Sequence, residues 1–160
     1  MLEKTGLASR EMFEKLLPSR ERRKKGPYAV MECYEKIPCD PCVTSCPAHA
    51  VTMKSINDTP CCDQDICTGC TRCVSRCPGL ACFVIDETVG NDQITITLPY
   101  ELSPLPAKGD QVAALDREGR EVSVAEVVRV VSTKALDHTS VITVKVDKSL
   151  LFDVRSIRVK

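Results

Sequence analysis

The apolar positions in the last third of the chain recur as short β-type runs. Residues 108–160 contain many valines and no cysteine, and tight-turn residues such as Asp-Arg-Glu-Gly at 116–119 separate the runs. Segments rich in β-branched residues and bounded by short turns are typical of small barrels or compact sheets. We therefore expect a β-rich docking domain at residues 91–160, with a single helical turn at 149–154. The predicted strands cover residues 94–98, 111–115, 121–131, 139–146 and 156–159.

A second pattern, with helical spacing, lies near the N-terminus. The apolar residues at positions 12, 13, 16 and 17 share one helical face, Ser9 can cap that helix, and Pro18 ends it. Five of the six residues at 20–25 are Arg or Lys, and Gly26-Pro27 closes this run. The run is either a solvated face or a docking arm for an acidic patch on a larger partner. Residues 1–32 offer little chain for the helix to pack against, which favours a helical, basic docking arm.

Composition narrows the class of protein. Eleven cysteines in 160 residues suggest either a disulfide scaffold or metal ligation. The odd number, the crowding into residues 33–82 and the lack of a secretory segment disfavour disulfides, so we expect a cytoplasmic protein. No stretch approaches the roughly 20 apolar residues of a membrane span. Basic residues are dispersed, the formal net charge is zero and aromatic residues are few, which argues against nucleic acid as a partner.

The stretch from Cys67 to Pro78 carries the clearest chemistry. It reads C-x2-C-x2-C-x3-C-P, a spacing typical of iron–sulfur ligation in which the fourth cysteine serves a second cluster. Zinc sites with four cysteines instead draw on two separate C-x2-C pairs held apart by a loop. A third cysteine at the same short spacing, followed by C-P, favours a cluster over zinc.

This motif is repeated upstream. A shift of 31 residues superimposes Cys39, Cys42, Cys46 and Pro47 on their counterparts in the second motif, and a short strand-like run follows the proline in each half. The first half departs from the pattern at one position, because Lys36 stands where the second half has a cysteine. We infer that Cys33, three residues earlier, replaces that ligand through a longer loop; Cys61 or Cys62, or loss of one iron, are the alternatives.

Residues 33–90 resemble a bacterial two-[4Fe–4S] ferredoxin over about 55 of the 160 residues. The resemblance implies an α+β fold, with a ferredoxin-type two-cluster domain between an N-terminal helical arm and a C-terminal small β-barrel or sheet module. It also implies two [4Fe–4S] clusters with crossed ligation. Cluster 1 would take Cys33, Cys39, Cys42 and Cys77, and cluster 2 would take Cys46, Cys67, Cys70 and Cys73.

Three further side chains are assigned ordinary roles. Cys82 falls on Val51 in the repeat, so it is expected to be a buried small hydrophobe. His49 and His138 are expected to be surface turn residues, although His49 could tune a cluster by hydrogen bonding. No catalytic constellation is evident in the β-rich segment, so the chain is expected to be a non-catalytic subunit.

Clusters fully ligated by cysteine have no open iron for substrate, so one-electron transfer is their remaining chemistry. More than half of the chain lies outside the cysteine region, which favours docking to partners. The layout, with its G-D-x-V and D-R-E-G tail, is similar to the small iron–sulfur subunits of flavin-dependent amino-acid and opine dehydrogenases. That resemblance implies flavoprotein dehydrogenase partners, a place for a [2Fe–2S] subunit, and a substrate oxidised elsewhere. A stand-alone ferredoxin-type carrier with an accessory domain is the alternative, and a structural metal-binding module is a third.

Overall fold

Strands account for most of the regular structure in the computed structural model, which describes residues 2–160. The strands are β1 (Tyr28–Met31), β2 (Val51–Thr52), β3 (Cys61–Cys62), β4 (Cys82–Asp86), β5 (Gln93–Tyr100), β6 (Gln111–Leu115), β7 (Glu121–Val131), β8 (Ser140–Asp147) and β9 (Ser156–Arg158). The helices are α1 (Leu2–Thr5), α2 (Arg10–Glu14), α3 (Arg20–Arg23), α4 (Pro41–Thr44) and α5 (Arg72–Arg76), with 3-10 turns at Lys134–Leu136 and Lys148–Leu150. Each helix is only four or five residues long.

Seven of the strands form one antiparallel sheet. Their order is β1-β4-β5-β8-β7-β6-β9, and β2 and β3 pair separately as a two-stranded ribbon. The β4–β5 pairing joins the cysteine region to the C-terminal region, with Val84 opposite Thr97 and Ile85 opposite Ile96. The domain boundary predicted near residue 90 therefore falls in a turn between two paired strands.

The expected fold class, an α+β ferredoxin-type domain with a helical arm and a C-terminal barrel, is wrong. The protein is mostly β, and β1 and β9 form the two edges of an open strand order. The error arises at β1, which pairs with β4 along its whole length. Its four consecutive apolar residues are all buried, and a strand buried on both faces shows no alternation to distinguish it from its surroundings. A strand at this position turns the expected arm into part of the sheet.

The N-terminal helix packs on the sheet. Ser9 accepts a hydrogen bond from the backbone N–H of Met12, which confirms the predicted cap, although α2 ends four residues before Pro18. Phe13 is 1% exposed and belongs to the main core. Because its large side chain is buried among sheet residues, α2 is anchored rather than free.

The two faces of the sheet carry two different cores. Along β1, Tyr28 and Val30 point into the main core, while Ala29 and Met31 point into a second one. This alternation follows from the two-residue period of a strand. The second core also contains Cys42, Cys73 and Val74, so the cysteine loops lie on this face of the sheet. Among residues 2–160, no helix is long and apolar enough to cross a membrane.

Candidate metal centre

The two cysteine motifs adopt the same local structure. Each motif passes through a short helix that carries its third cysteine, Cys42 in α4 and Cys73 in α5. After each helix the fourth cysteine accepts a backbone hydrogen bond at sulfur: Ala50 N–H donates to Cys46 Sγ and Ala81 N–H donates to Cys77 Sγ, both at 3.3 Å. Such N–H donors to sulfur are one of the features that set the potential of iron–sulfur clusters.

One group of four cysteines lines a single cavity. Cys46 comes from the first motif, and Cys67, Cys70 and Cys73 come from the second. The cavity is closed on one side by the turn at 68–72 and on the other by Ala29 and Val84 of the sheet. We call these four residues group 2. They are the four that the sequence assigns to cluster 2.

The second group is recognised by the mutual influence of its thiols. Burial is the largest cause that raises the pKa of Cys33, and the charges of Cys77 and Cys39 add to it. Burial likewise raises the pKa of Cys42 to about 11, with further contributions from Cys77, Cys39 and Cys33. We call Cys33, Cys39, Cys42 and Cys77 group 1. The structure therefore brings Cys33 to the side of the first motif, together with Cys77 from the second.

In group 2, the local environment favours a thiolate at Cys67. A hydrogen bond from the Cys62 thiol is the largest cause that lowers the pKa of Cys67, to about 5; burial opposes it. The backbone N–H groups of Gly69 and Ala29 and the charge of Arg22 lower it further. Since the thiolate is the form that binds metal, these surroundings are compatible with the ligand role predicted for Cys67.

In group 1, the surroundings of Cys77 lower its pKa in the same way. The Cys82 thiol is the largest cause that lowers the pKa of Cys77, to about 6. The backbone N–H groups of Ala81 and Gly79 lower this pKa further, and these causes together outweigh burial, which raises it. Cys82 is 1% exposed, as predicted for a buried small residue, and its Sγ lies 3.2 Å from Met31 Sδ. It also contacts Cys73, so it touches one cysteine of each group.

The adjacent pair Cys61–Cys62 lies beside group 2. Cys61 is exposed, whereas Cys62 contacts Cys67 and lies near Cys73 and Cys46. The structure therefore does not bring either residue to group 1, where the sequence had offered them as replacements for Cys33. Their side chains diverge because they alternate along β3.

Sequence reasoning missed the residues that hold the group 2 loop. Arg22, which lies within the predicted basic run, donates hydrogen bonds to the carbonyls of Gln64 at 2.6 Å and Cys67 at 2.8 Å. It also donates to the carbonyls of Gly26 at 3.1 Å and Pro27 at 2.9 Å. One guanidinium thus ties the N-terminal segment to the loop that carries Cys67. A backbone carbonyl has no sequence signature, so the charge run gave no sign of this contact.

Gly69 is a second missed residue. Its φ is +66°, and a Cβ built on it would lie 2.6 Å from Cβ of Pro27. Only glycine allows both the left-handed backbone and the close approach of the N-terminal segment. The loop between Cys67 and Cys70 therefore depends on glycine at this position.

A buried ion-pair network supports the strand that leads into Cys33. The Glu32 carboxylate, 7% exposed, accepts hydrogen bonds from Arg117 at 2.9 and 3.0 Å and from Arg155 at 2.5 Å. Both guanidinium groups also stack on aromatic rings, Arg117 on Phe152 and Arg155 on Phe13. The network fixes the start of the group 1 loop against the C-terminal strands.

The two histidines lie on turns at the surface. His49 is exposed and has a φ of 53° directly after the first motif. The His138 side chain is 94% exposed. Both placements confirm the surface turn positions predicted from the sequence.

The types of donor in the two groups are those that iron–sulfur clusters use, although the side chains of residues 2–160 do not form a ready-made metal site. Two groups of four thiols, with N–H and S–H donors directed at their sulfurs, are the ligands and outer contacts that such clusters use. Within residues 2–160, no three or more His, Cys, Asp or Glu side chains are arranged to hold a metal ion. Comparison of the chain with protein-family models, with curated proteins and with solved structures found no match. The ligand roles stay predictions from this chain's own residues.

Proposed function

We propose that this protein is an electron-transfer subunit that holds two [4Fe–4S] clusters and serves a flavin-dependent dehydrogenase complex. The observation that carries the proposal is the crossed grouping of eight cysteines, in which each motif contributes three thiols to one group and one to the other. When bound, such clusters supply reversible one-electron oxidation and reduction. Group 1 would hold one cluster and group 2 the other.

The chain's own residues would hold and shield the clusters. The backbone N–H groups of Ala50 and Ala81 donate to ligand sulfurs, and Val51 and Val74 are buried beside the cysteines. Ile37 and Ile66, which flank the cysteine motifs, are each 48% exposed, and Phe83 lies in the main core on the other face of the sheet. Exposed apolar side chains next to the motifs suit contact with a partner that receives or donates electrons.

A basic surface supports docking to an acidic partner. Arg20, Arg23, Lys24 and Lys148 surround Glu87, and Arg20 and Lys24 are exposed. Because Glu87 is occupied by Arg23 and Lys148, the remaining cations at this surface are free to meet acidic groups on a partner. We propose that the partner is a flavoprotein whose own active site oxidises an amino acid or a related substrate.

The first experiment measures the cofactor. Anaerobically purified protein should be brown, carry roughly eight iron and eight sulfide per chain, as two four-iron clusters require, and lose visible absorption on addition of dithionite. Cys33→Ser should lose one cluster, whereas Cys61→Ser, at an exposed cysteine outside both groups, should keep both. A colourless protein without iron or sulfide contradicts the proposal.

The second experiment tests the partner. Gel filtration of native extract should place the protein in a large complex that contains flavin and dissociates at high salt. A protein with both clusters that elutes at the size of a small monomer is instead the stand-alone carrier.

A further inference from the structure

The two cysteine groups have different electrostatic surroundings. Beside group 2, the half-buried Arg22 guanidinium donates a hydrogen bond from its Nη2 to the carbonyl of Cys67 at 2.8 Å. All four of its hydrogen bonds go to backbone carbonyls, so these partners do not cancel its charge. Beside group 1, the carboxylate of Glu35 acts on Cys33 from outside the group, and this side chain is exposed. A half-buried cation therefore borders group 2, whereas an exposed anion lies beside Cys33 of group 1.

Other charges nearby are more exposed. Asp63 and Asp65 flank the group 2 loop, and Lys36 flanks the group 1 loop, where it pairs with Asp58 at 3.5 Å. The three flanking side chains are at the surface, where water and salt screen them more than they screen the partly buried Arg22. Glu35 is exposed as well, so the half-buried Arg22 is the charge that distinguishes the two groups.

Cys62 adds a hydrogen bond on the same side. In the two-stranded ribbon Cys62 lies opposite Val51, which is 4% exposed, and it packs into the second core with Cys67. Its thiol reaches the Cys67 sulfur, whereas its neighbour Cys61 faces solvent. Cys82 offers no such asymmetry, because it contacts Cys73 of group 2 and Cys77 of group 1 alike.

We infer that Arg22 and Cys62 give the group 2 cluster the higher reduction potential, so that the electron in the singly reduced protein resides there. The inference rests on the proposed function. Reduction adds one negative charge without breaking a bond, and the reduced flavin of the partner supplies the electron. A nearby cation and a hydrogen bond to a ligand sulfur both stabilise that added charge, which raises the potential. Group 1 then acts as the intermediate carrier and group 2 as the site where the electron rests.

An EPR-monitored redox titration of the anaerobic protein tests this. The two signals are assigned with Cys33→Ser, which removes a group 1 ligand only. On stepwise reduction, the group 2 signal should appear first. Arg22→Met should lower the group 2 potential and leave that of group 1 in place, while Arg22→Lys retains most of the effect. A change of up to about tenfold in the reduction equilibrium, or ~59 mV for a one-electron couple, is expected.

The Cys62 variants give an independent reading if Arg22→Met does not fold. Cys62→Ala should lower the group 2 potential, and Cys62→Ser, which keeps an O–H donor, should restore it in part. Cys61→Ala is the matched control and should leave both potentials unchanged. Reduction of group 1 before group 2, or potentials that do not respond to Cys62→Ala, would overturn the inference. Absence of clusters altogether would instead contradict the proposed function.

Discussion

The two halves of the cysteine region differ less in the motifs themselves than in what surrounds them. In both halves an alanine N–H four residues after the last cysteine donates to its sulfur at 3.3 Å. In both, the residue before that alanine is left-handed, His49 with φ 53° and Leu80 with φ 52°. The 31-residue repeat thus specifies matching backbone paths around the fourth cysteine of each motif.

The surroundings of the halves are not repeated. The loop of the second half is clamped by Arg22, by the Gly69–Pro27 contact, and by Gln64, which donates to the carbonyl of Ala29 at 2.9 Å. In the first half, the corresponding loop carries the Lys36–Asp58 pair, in which the Lys36 side chain is 74% exposed. The comparison indicates that a duplicated motif can fix which sulfurs meet, while unrepeated residues decide how rigidly each group is held.

The largest expected effect tests the crossing between the halves. Cys77→Ser should abolish the cluster held by the first motif, and Cys46→Ser should abolish the cluster held by the second, because each fourth cysteine lies with the opposite group. Iron content should fall by roughly half in each variant, the share of one of two four-iron clusters. EPR of the reduced protein identifies which signal is lost.

The reverse pattern would contradict the crossed grouping. If Cys77→Ser and Cys73→Ser lose the same signal, Cys77 serves its own motif. Cys61→Ser is the control for the removal of a thiol, since Cys61 is exposed and outside both groups.

Gly69→Ala tests the rigidity of the second half. The added methyl group would lie 2.6 Å from Cβ of Pro27, and the alanine would have to adopt a left-handed backbone conformation. Overpacking and the left-handed conformation together should cost about 2–4 kcal/mol in the free energy of unfolding. Urea unfolding measures the loss of unfolding free energy. As urea is raised, the EPR signal of the group 2 cluster should weaken before that of the group 1 cluster. Gly79→Ala is the control, because a Cβ there would meet nothing within 4 Å, and it should change the free energy of unfolding by less than about 1 kcal/mol. Equal losses of unfolding free energy in the two variants would mean that Pro27 moves aside to accommodate the methyl group.

Local patterns predicted the C-terminal strands well and the assembly of the sheet poorly. The bounds of β6 and β7 coincide with the predicted runs 111–115 and 121–131, since alternation and turns are local signals. β1 was missed because its four apolar residues are buried on both faces and resemble a continuation of the N-terminal segment. Its pairing with β4 joins residues more than 50 positions apart, which no local pattern encodes.

The candidate site shows the same division. The ligand sets that the ferredoxin resemblance implies correspond to the two groups of neighbouring cysteines, and their role as cluster ligands stays a prediction. Arg22 and Gln64 could not be predicted, since both bind backbone carbonyls of a distant segment. Cys62 was offered only as an alternative to Cys33 in group 1, and it lies beside group 2 because the register of the β2–β3 ribbon determines which motif it faces.

A smaller effect is expected at Glu87, which directly follows β4 and binds Arg23, Tyr28 and Lys148. Burial raises the pKa of Glu87, but hydrogen bonds from Arg23 at 2.5 Å and Tyr28 at 2.6 Å outweigh it, so the net pKa lies below the ordinary value of 4.5. A carboxyl whose pKa is lowered by folding stabilises the folded state above its unfolded pKa and loses that contribution as pH falls through its folded pKa. The stability advantage of the wild type over Glu87→Gln should therefore be full at pH 6–7 and shrink below about pH 4.5.

Urea unfolding of both proteins across pH 3.5–7 measures this difference. Glu14→Gln, at an exposed position on α2, is the control and should show no such pH dependence. A difference between wild type and Glu87→Gln that stays constant down to pH 3.5 would mean that the carboxylate is not stabilised by these contacts.

The smallest effect is expected in the first half, at the position where the repeat lacks a cysteine. The Lys36 side chain is 74% exposed and its ion pair with Asp58 spans 3.5 Å, so Lys36→Ala should change the free energy of unfolding by less than about 1 kcal/mol. Both clusters should remain, because Cys33 rather than position 36 completes group 1. Iron analysis and urea unfolding, with Asp58→Ala as the matched partner variant, provide the measurement. A loss of iron in Lys36→Ala comparable to that in Cys33→Ser would mean that the Lys36–Asp58 pair holds the group 1 loop as firmly as Arg22 and Gly69 hold the group 2 loop. The proposed difference in rigidity between the two halves would then be wrong.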